Sequence, residues 1–193
     1  MSASSHRIED RDGVRILRLE SQDGTNRLTR GCVRSLTDAV ERLAHESSPL
    51  IIAGNDRFFS VGAELEEISA LDGPAAYEFS KMGQILMATI DGFPAAVYAA
   101  ISGYCMGGGL DLALACRYRI ASPHAVFGHR GAALGLIRGW GGTQRLPSLV
   151  GKERALEIFV AAEKIAAQRA LQIGLIDAIS DDPAGEAIQR IRQ

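Results

Sequence analysis

Residues 101–111 read Ile101-Ser-Gly-Tyr-Cys-Met-Gly-Gly-Gly-Leu-Asp111, a segment in which an apolar run ends and three consecutive glycines begin a new element. The preceding run from Pro94 predicts a buried strand, and the composition from Met106 to Cys116 predicts a helix. The first N–H groups of a helix have no partner within the helix, and the helix dipole adds positive potential there. Glycine lets a ligand approach that backbone because it has no Cβ. This junction therefore predicts a backbone site for negative charge.

A second junction of the same kind lies earlier in the chain, at Arg57-Phe-Phe-Ser-Val-Gly-Ala-Glu64, where a predicted strand ends before Gly62 and a helix. Two N–H groups that converge from separate junctions would form an oxyanion hole, which stabilises negative charge as it develops on a carbonyl oxygen. The alternative is structural, since a glycine-rich turn before a helix is often only a tight connection. Dinucleotide binding of the Gly-x-Gly-x-x-Gly type is excluded because the three glycines are contiguous.

The rest of the chain alternates strand patterns with helix patterns. Val14–Leu19 and Pro49–Ala53 predict strands, and Thr29 is expected to cap a helix that runs to about Glu46. The apolar residues of that helix are spaced by three and four positions, as on one buried helical face. This alternation predicts an α/β fold in which crossover connections join mostly parallel strands.

The composition predicts a single domain over residues 1–193, in which residues 1–12 are expected to be a frayed tail. With 47% hydrophobic and 23% charged residues and a net charge of −2, the chain lacks a general electrostatic attraction to nucleic acid or an anionic membrane. No apolar segment reaches the roughly 18 residues that a membrane span needs. Three cysteines without a Cys-x-x-Cys pair favour reduced thiols and a cytoplasmic location. The sequence has no cluster typical of a metal site.

Several motifs follow one another in an order typical of a known family. They are Asn26-Arg-Leu-Thr29, Phe59-Ser-Val-Gly-Ala63, Gly107-Gly-Gly-Leu-Asp-Leu-Ala-Leu-Ala-Cys116, Gly139-Trp-Gly-Gly-Thr-Gln-Arg-Leu-Pro147 and Ala170-Leu-Gln-Ile-Gly-Leu-Ile-Asp177. From Phe58 to Ile179 the chain therefore resembles the crotonase, or enoyl-CoA hydratase/isomerase, superfamily.

The resemblance implies a crotonase-like spiral of ββα units that binds an acyl-CoA thioester as substrate and uses no further cofactor. It implies that the N–H groups of Val61 and Gly108 hold the thioester oxygen, and that Arg57, Ser60 and Ala63 contact coenzyme A. Relatives form trimers or dimers of trimers, so a homotrimer or a dimer of trimers is expected here. Relatives also continue into a C-terminal helical region, which is expected to be shortened in this chain.

The acid–base residues depart from the family pattern. Family hydratases use two glutamates, and the matching positions hold Asp111 and Gly131, with Arg130 in place of a proline. Because residues 108 and 111 lie on one helical face, the Asp111 carboxylate is expected beside the Gly108 N–H, although a first-turn carboxylate also simply favours the helix dipole. His129 is a candidate replacement for the second acid, or an ordinary hydrogen-bonded loop residue.

These residues predict an enzyme of the enoyl-CoA hydratase/isomerase type, most simply a lyase, with an altered acid–base set. A decarboxylase or isomerase would use the same oxyanion hole, because all these reactions pass through a thioester enolate. A protein of a different class, a catalytically weak acyl-CoA-binding or subunit protein, is the other alternative. The missing second acid favours that alternative, and the retained glycine junction disfavours it.

Overall fold

A computed structural model describes residues 5–129, 131–137 and 139–193. The strands are β1 (His6–Arg11), β2 (Val14–Leu19), β3 (Arg27–Leu28), β4 (Leu50–Ala53), β5 (Phe58–Ser60), β6 (Gly62–Ala63), β7 (Val97–Ile101), β8 (Tyr104–Met106), β9 (Tyr118–Ala121), β10 (Val126–Gly128), β11 (Ile165–Ala166) and β12 (Ala178–Ile179). The helices are α1 (Arg30–Ala44), α2 (Leu65–Ser69), α3 (Gly73–Asp91), α4 (Gly108–Ala115), α5 (Gly142–Val150), α6 (Lys152–Ala161), α7 (Ala167–Gln172) and α8 (Pro183–Ile191). A 3-10 turn spans Ala132–Leu134.

Two sheets organise these elements. The larger sheet has the order β1-β2-β4-β7-β9-β12, in which the pairs from β2 to β12 are parallel and β1 is antiparallel to β2. The smaller sheet has the order β11-β10-β8-β5, and β3 pairs separately with β6. Helices separate groups of one to three strands along the chain, because parallel neighbours such as β2 and β4 need a crossover connection. The predicted α/β fold with mostly parallel pairing is confirmed.

The helices that support the site form for reasons visible in the sequence. The Thr29 hydroxyl accepts a hydrogen bond from the Cys32 N–H at 3.1 Å and caps α1, as predicted. The Asp72 carboxylate accepts from the Ala75 N–H at 2.9 Å and caps α3, which has Pro74 in its first turn. The two helices pack side by side, and the apolar stripe of α1 is buried against the larger sheet.

Most of the described part of the segment that was expected to be a frayed tail forms a strand. Residues 6–11 form β1, with a register that runs from His6 opposite Leu19 to Arg11 opposite Val14. The frayed-tail prediction is wrong for these residues. An edge strand needs no apolar periodicity, and β1 is instead joined to its neighbour by main-chain pairing and by ion pairs such as Arg18 Nε to Glu9 Oε1 at 2.8 Å.

The C-terminal helix α8 covers the face of the larger sheet opposite to the main core. Its Ala187 and Ile188 pack with Ile16, Ile51 and Tyr98 in a second apolar cluster. Within the described ranges, none of the helices combines the length and the apolar character needed to cross a lipid bilayer. The three cysteines are free thiols, and all are buried.

Candidate active site

A mainly apolar cavity of about 460 Å³ opens where the start of α4 meets β6, α2, α3 and the segment after β10. The predicted residues Val61, Ala63, Gly108, Asp111 and His129 all contribute to its wall. The remaining lining residues are Leu65, Ile68, Leu71, Ala76, Phe79, Ser80, Met106, Gly107, Gly131, Leu134, Leu136, Ile137, Gly139 and Trp140. The structure therefore brings together both glycine junctions and both candidate acid–base groups in one cavity.

The two glycine junctions touch each other at the cavity wall. Gly107 has φ of +54° and precedes α4, and Gly108 is the first residue of that helix. Gly62 has φ of +97°, and a Cβ added to it would lie 2.9 Å from the Gly108 nitrogen and 2.8 Å from the Met106 carbonyl oxygen. Only a residue without a side chain fits at this contact, because both its conformation and the available space exclude a Cβ.

The Val61 N–H does not have the free position that its predicted role requires. The Val61 N–H donates to the Thr25 carbonyl oxygen at 3.1 Å, so it is engaged within the protein, and its assignment to the oxyanion hole is wrong. The backbone nitrogen of Ala63 is closer to Gly108, since a Cβ built on Gly108 would lie 3.4 Å from it. The positive φ of Gly62 turns the chain between these two residues.

The three predicted coenzyme A contacts have different environments. Ser60 is fully buried, and its hydroxyl donates to the Asn26 carbonyl oxygen at 2.7 Å and accepts from the Gly62 N–H at 3.0 Å. Ser60 thus fixes the junction internally and has no exposed surface to offer a ligand, which corrects its prediction. Arg57 is exposed, with its guanidinium 5.5 Å from the Phe58 ring centre, and Ala63 lines the cavity. Their contact with coenzyme A stays a prediction.

Asp111 and His129 face each other across the cavity wall. The Asp111 side chain is 3% exposed and the His129 side chain 11% exposed, and His129 Nε2 lies 3.9 Å from Asp111 Oδ2. His129 Nδ1 lies 3.3 Å from the Gly131 nitrogen, in position to accept its N–H. A neutral imidazole that accepts at Nδ1 carries its proton on Nε2, the nitrogen nearer the carboxylate. The arrangement places the Nε2–H group, a hydrogen-bond donor, beside the Asp111 carboxylate at the cavity.

Gly131, the position that matches the second family glutamate, has little room for a side chain. Gly131 has φ of −55° and ψ of −45°, a conformation open to any residue. A Cβ added there, however, would lie 2.9 Å from the Leu136 carbonyl oxygen and 3.0 Å from His129 Cε1. The imidazole ring thus occupies the space beside position 131. Arg130, which takes the place of the family proline, lies outside the described residues.

Trp140 forms a wall of the cavity that the sequence does not reveal. It is 4% exposed, its Nε1 donates to the Phe79 carbonyl oxygen at 3.3 Å, and its ring centre lies 5.3 Å from that of Phe79. A tryptophan in a glycine-rich loop is equally typical of core packing, so no sequence signal marks it. Across the described parts of the chain, no group of three or more His, Cys, Asp or Glu side chains could hold a metal ion.

Residues 9–193 match a protein family described as enoyl-CoA hydratase/isomerase. A probable enoyl-CoA hydratase of Bacillus subtilis is 42% identical over 144 residues, which cover 74% of this chain and 55% of that protein. A crotonyl-CoA hydratase of Syntrophomonas wolfei is 34% identical over 175 residues, which cover 89% of this chain and 67% of that protein. The chain therefore spans little more than half the length of the first of these relatives.

Solved structures share the fold. Pseudomonas aeruginosa DspI superimposes with a TM-score of 0.92 at 31% identity, over 98% of this chain and 80% of that protein. An enoyl-CoA hydratase from Bacillus anthracis gives a TM-score of 0.92 at 29% identity, over 98% of this chain and 76% of that protein. The expected crotonase-like architecture is therefore confirmed.

Proposed function

Because the chain belongs to the enoyl-CoA hydratase/isomerase family, we propose that it acts on the acyl group of a coenzyme A thioester through a backbone oxyanion hole. The observation that carries this proposal is the convergence, at one apolar cavity, of the start of α4, Ala63 and the Asp111–His129 pair. The activity and substrate class of the full-length relatives are assigned to this chain only as part of this proposal.

The backbone supplies the electrostatic part of the reaction. The Gly108 N–H, at the first position of α4, and the Ala63 N–H are the proposed donors to the thioester oxygen. As negative charge moves onto that oxygen, the donors and the helix dipole stabilise the enolate more than the substrate. One such donor typically contributes about 10²–10³ in rate.

The side-chain pair supplies the acid–base part. In the hydration direction, the Asp111 carboxylate accepts a proton from water as the water oxygen bonds to Cβ of the enoyl group. The electron pair of the double bond moves toward the thioester oxygen, and the protonated Asp111 carboxyl group then passes that proton to Cα, which restores the carboxylate. The His129 Nε2–H, beside Asp111, donates a hydrogen bond that orients the attacking water. A neutral imidazole suits this role because its single N–H donates a hydrogen bond while it keeps its proton. A positioned acid–base group contributes typically 10²–10⁴ in rate.

The apolar wall supports an apolar acyl group as the substrate class. Leu65, Leu134 and Ile137 are more than half exposed at the cavity, and Ile68 and Phe79 extend the same surface inward. Burial of an acyl chain against these side chains is favourable by about 25 cal/mol for each Å² of apolar surface removed from water. The proposed substrate is therefore a trans-2-enoyl-CoA rather than a thioester with a charged acyl group.

Thermal unfolding with crotonyl-CoA, butyryl-CoA, malonyl-CoA and free coenzyme A tests the ligand class. Ligand at about 100 times its Kd stabilises a protein by about 2.7 kcal/mol, which raises Tm by about 5–11 °C for a chain of this length. Hydration of crotonyl-CoA, followed by loss of the enoyl absorbance, tests the reaction. Absence of any Tm shift with all the thioesters would refute the thioester function.

Three variants test the acid–base roles. Asp111→Asn and His129→Gln keep the side-chain size and are expected to lower kcat by about 10²–10⁴ while the ligand-induced Tm shift remains. His124→Gln is the matched control, because His124 is an exposed histidine away from the residues that line the cavity. Equal kcat values for Asp111→Asn and the control would contradict the role of Asp111, and the same comparison applies to His129.

A decarboxylase is the second candidate, and the closed position at Gly131 favours it. With one carboxylate at the site, loss of carbon dioxide from a malonyl-type thioester needs only enolate stabilisation and one proton donor. A larger Tm shift with malonyl-CoA than with crotonyl-CoA, together with carbon dioxide release, would select this reaction over hydration.

The expected assembly and location are part of the proposal. We propose a homotrimer or a dimer of trimers, as the family resemblance implies, in the cytoplasm. The three buried free thiols support a reducing compartment, in which disulfides do not persist.

A further inference from the structure

One face of α3 holds the loop that carries Trp140. Ser80 and Gln84, four residues apart on that helix, both donate to the Gly139 carbonyl oxygen, from Oγ at 2.9 Å and from Nε2 at 2.7 Å. Gly83 lies on the same face, between them. The helix therefore fixes the backbone immediately before Trp140 with two hydrogen bonds.

The Trp140 indole fills the space between two glycines of different helices. A Cβ built on Gly83 of α3 would overlap Trp140 Cδ1 and Nε1, at one edge of the indole. A Cβ built on Gly108 of α4 would lie 2.5 Å from Cζ3 and 2.7 Å from Cε3, at the other edge. The indole thus joins α3 to the first residue of α4, and both contacts require glycine.

We propose that Trp140 is a positioning and specificity-determining residue, whose indole holds the Gly108 backbone in place and closes the cavity against longer acyl groups. This inference rests on the proposed thioester function. Gly108 has no side chain of its own to restrain the first turn of α4, so the indole beside it limits how far that backbone moves. An error of about 1 Å in such a position can cost about 100-fold in rate.

The same indole limits the acyl group. Trp140 lines the cavity together with Phe79, and its bulk stands between the site of the thioester oxygen and α3. Replacement by a small side chain would remove that wall and leave a void that additional methylene groups can fill. The wild type is therefore expected to prefer short enoyl groups, and the small variant longer ones.

The test compares the wild type with Trp140→Phe and Trp140→Ala. kcat and KM are measured for crotonyl-, hexenoyl- and decenoyl-CoA, and binding of the matching saturated thioesters is measured by calorimetry. Trp140→Ala is expected to lose about 10–100-fold in kcat on crotonyl-CoA while its relative kcat/KM for decenoyl-CoA rises. Trp140→Phe, which retains a flat ring, is expected to recover most of kcat. A purely structural tryptophan would not change the order of acyl preference.

A second set of variants covers the case in which Trp140→Ala does not fold. Gly83→Ala is expected to push the indole and lower Tm by about 3 °C or more, although alanine favours a helix. Gly73→Ala in the same helix is the matched control, since a Cβ there has nothing within 4 Å. If Gly83→Ala moves neither Tm nor the acyl preference relative to Gly73→Ala, the proposed role of the indole is overturned.

The outcomes separate this inference from the function on which it rests. If the wild type binds no acyl-CoA, the proposed function and the Trp140 inference both fail. If the wild type binds acyl-CoA and folded Trp140→Ala keeps the same kcat and the same acyl preference, only the Trp140 inference fails. A changed preference in Trp140→Ala with recovery in Trp140→Phe supports it.

Discussion

Gly131→Glu tests whether the second family carboxylate can be restored in this fold. The backbone permits it, since Gly131 has φ of −55° and ψ of −45°. The space does not, because the new Cβ would lie 2.9 Å from the Leu136 carbonyl oxygen and 3.0–3.1 Å from two atoms of the His129 ring. The Leu136 N–H also donates to the Gly131 carbonyl oxygen at 2.8 Å, so this turn is closed on itself. We therefore expect the His129 ring to be displaced.

The size of the effect follows from this crowding. Overpacking of a buried site costs typically about 1–3 kcal/mol, which lowers Tm by about 2–12 °C for a chain of this length. Loss of a positioned imidazole lowers the hydration rate of crotonyl-CoA by about 10²–10⁴. Gly131→Glu is therefore expected to be a weaker hydratase than the wild type, although it adds the missing carboxylate.

Two companion variants locate the cause. Gly131→Ala adds only the Cβ, so a similar loss of Tm in this variant assigns the damage to the contacts with Leu136 and His129. His129→Ala combined with Gly131→Glu removes the ring and frees its space, and this double variant is expected to be more active than His129→Ala alone. A folded Gly131→Glu protein with wild-type Tm and faster hydration than the wild type would refute the reasoning.

Two further predictions follow from contacts and burial in the structure, and a third follows from the family resemblance. Gly108→Ala is expected to lower kcat/KM for crotonyl-CoA at least about 100-fold, because its Cβ meets the Trp140 ring and displaces the donor; unchanged kinetics would exclude this N–H from the site. Burial raises the pKa of Cys32 to about 11 and that of Cys116 to about 12, so the folded state retains these thiol protons. The contribution of each thiol to the free energy of unfolding is then constant below the pKa of an unfolded thiol, about 8.5, and falls above it by up to about 1.4 kcal/mol per pH unit. Urea titrations of the wild type and Cys116→Ala at several pH values would measure the difference. Sedimentation equilibrium at micromolar concentration is expected to give a trimer or hexamer, and a species of monomer size alone would contradict that assembly.

The sequence predicts those elements whose pattern is long enough to be read. Helix α1 carries its cap at Thr29 and an apolar stripe of four turns, and it forms where expected. Strands β3, β6 and β11 have two residues each, too few for any periodicity. Strand β1 is polar except for Ile8, because its pairing at the sheet edge depends on the main chain rather than on burial.

At the site, the sequence locates the junctions but not the direction of each N–H. In a regular strand the N–H groups of residues 61 and 63 point the same way, so either could have been the donor. The φ of +97° at Gly62 turns the chain between them, and this leaves Val61 bonded to Thr25 and brings Ala63 beside Gly108. A glycine in the sequence permits such a turn without requiring it.

Asp111, His129 and Gly131, the residues that bear on the altered acid–base pattern, lie next to one another. Aspartate at position 111 is one methylene shorter than glutamate, so its carboxylate reaches less far from α4. The His129 ring lies beside it, with Nε2 3.9 Å from the carboxylate. A side chain at position 131 would crowd the ring, since a Cβ there would lie 3.0 Å from His129 Cε1, and the Gly131 N–H, 3.3 Å from Nδ1, favours the tautomer with its proton on Nε2. On the proposed function, we therefore infer that the absence of a side chain at position 131 accompanies a changed acid–base set rather than a loss of activity.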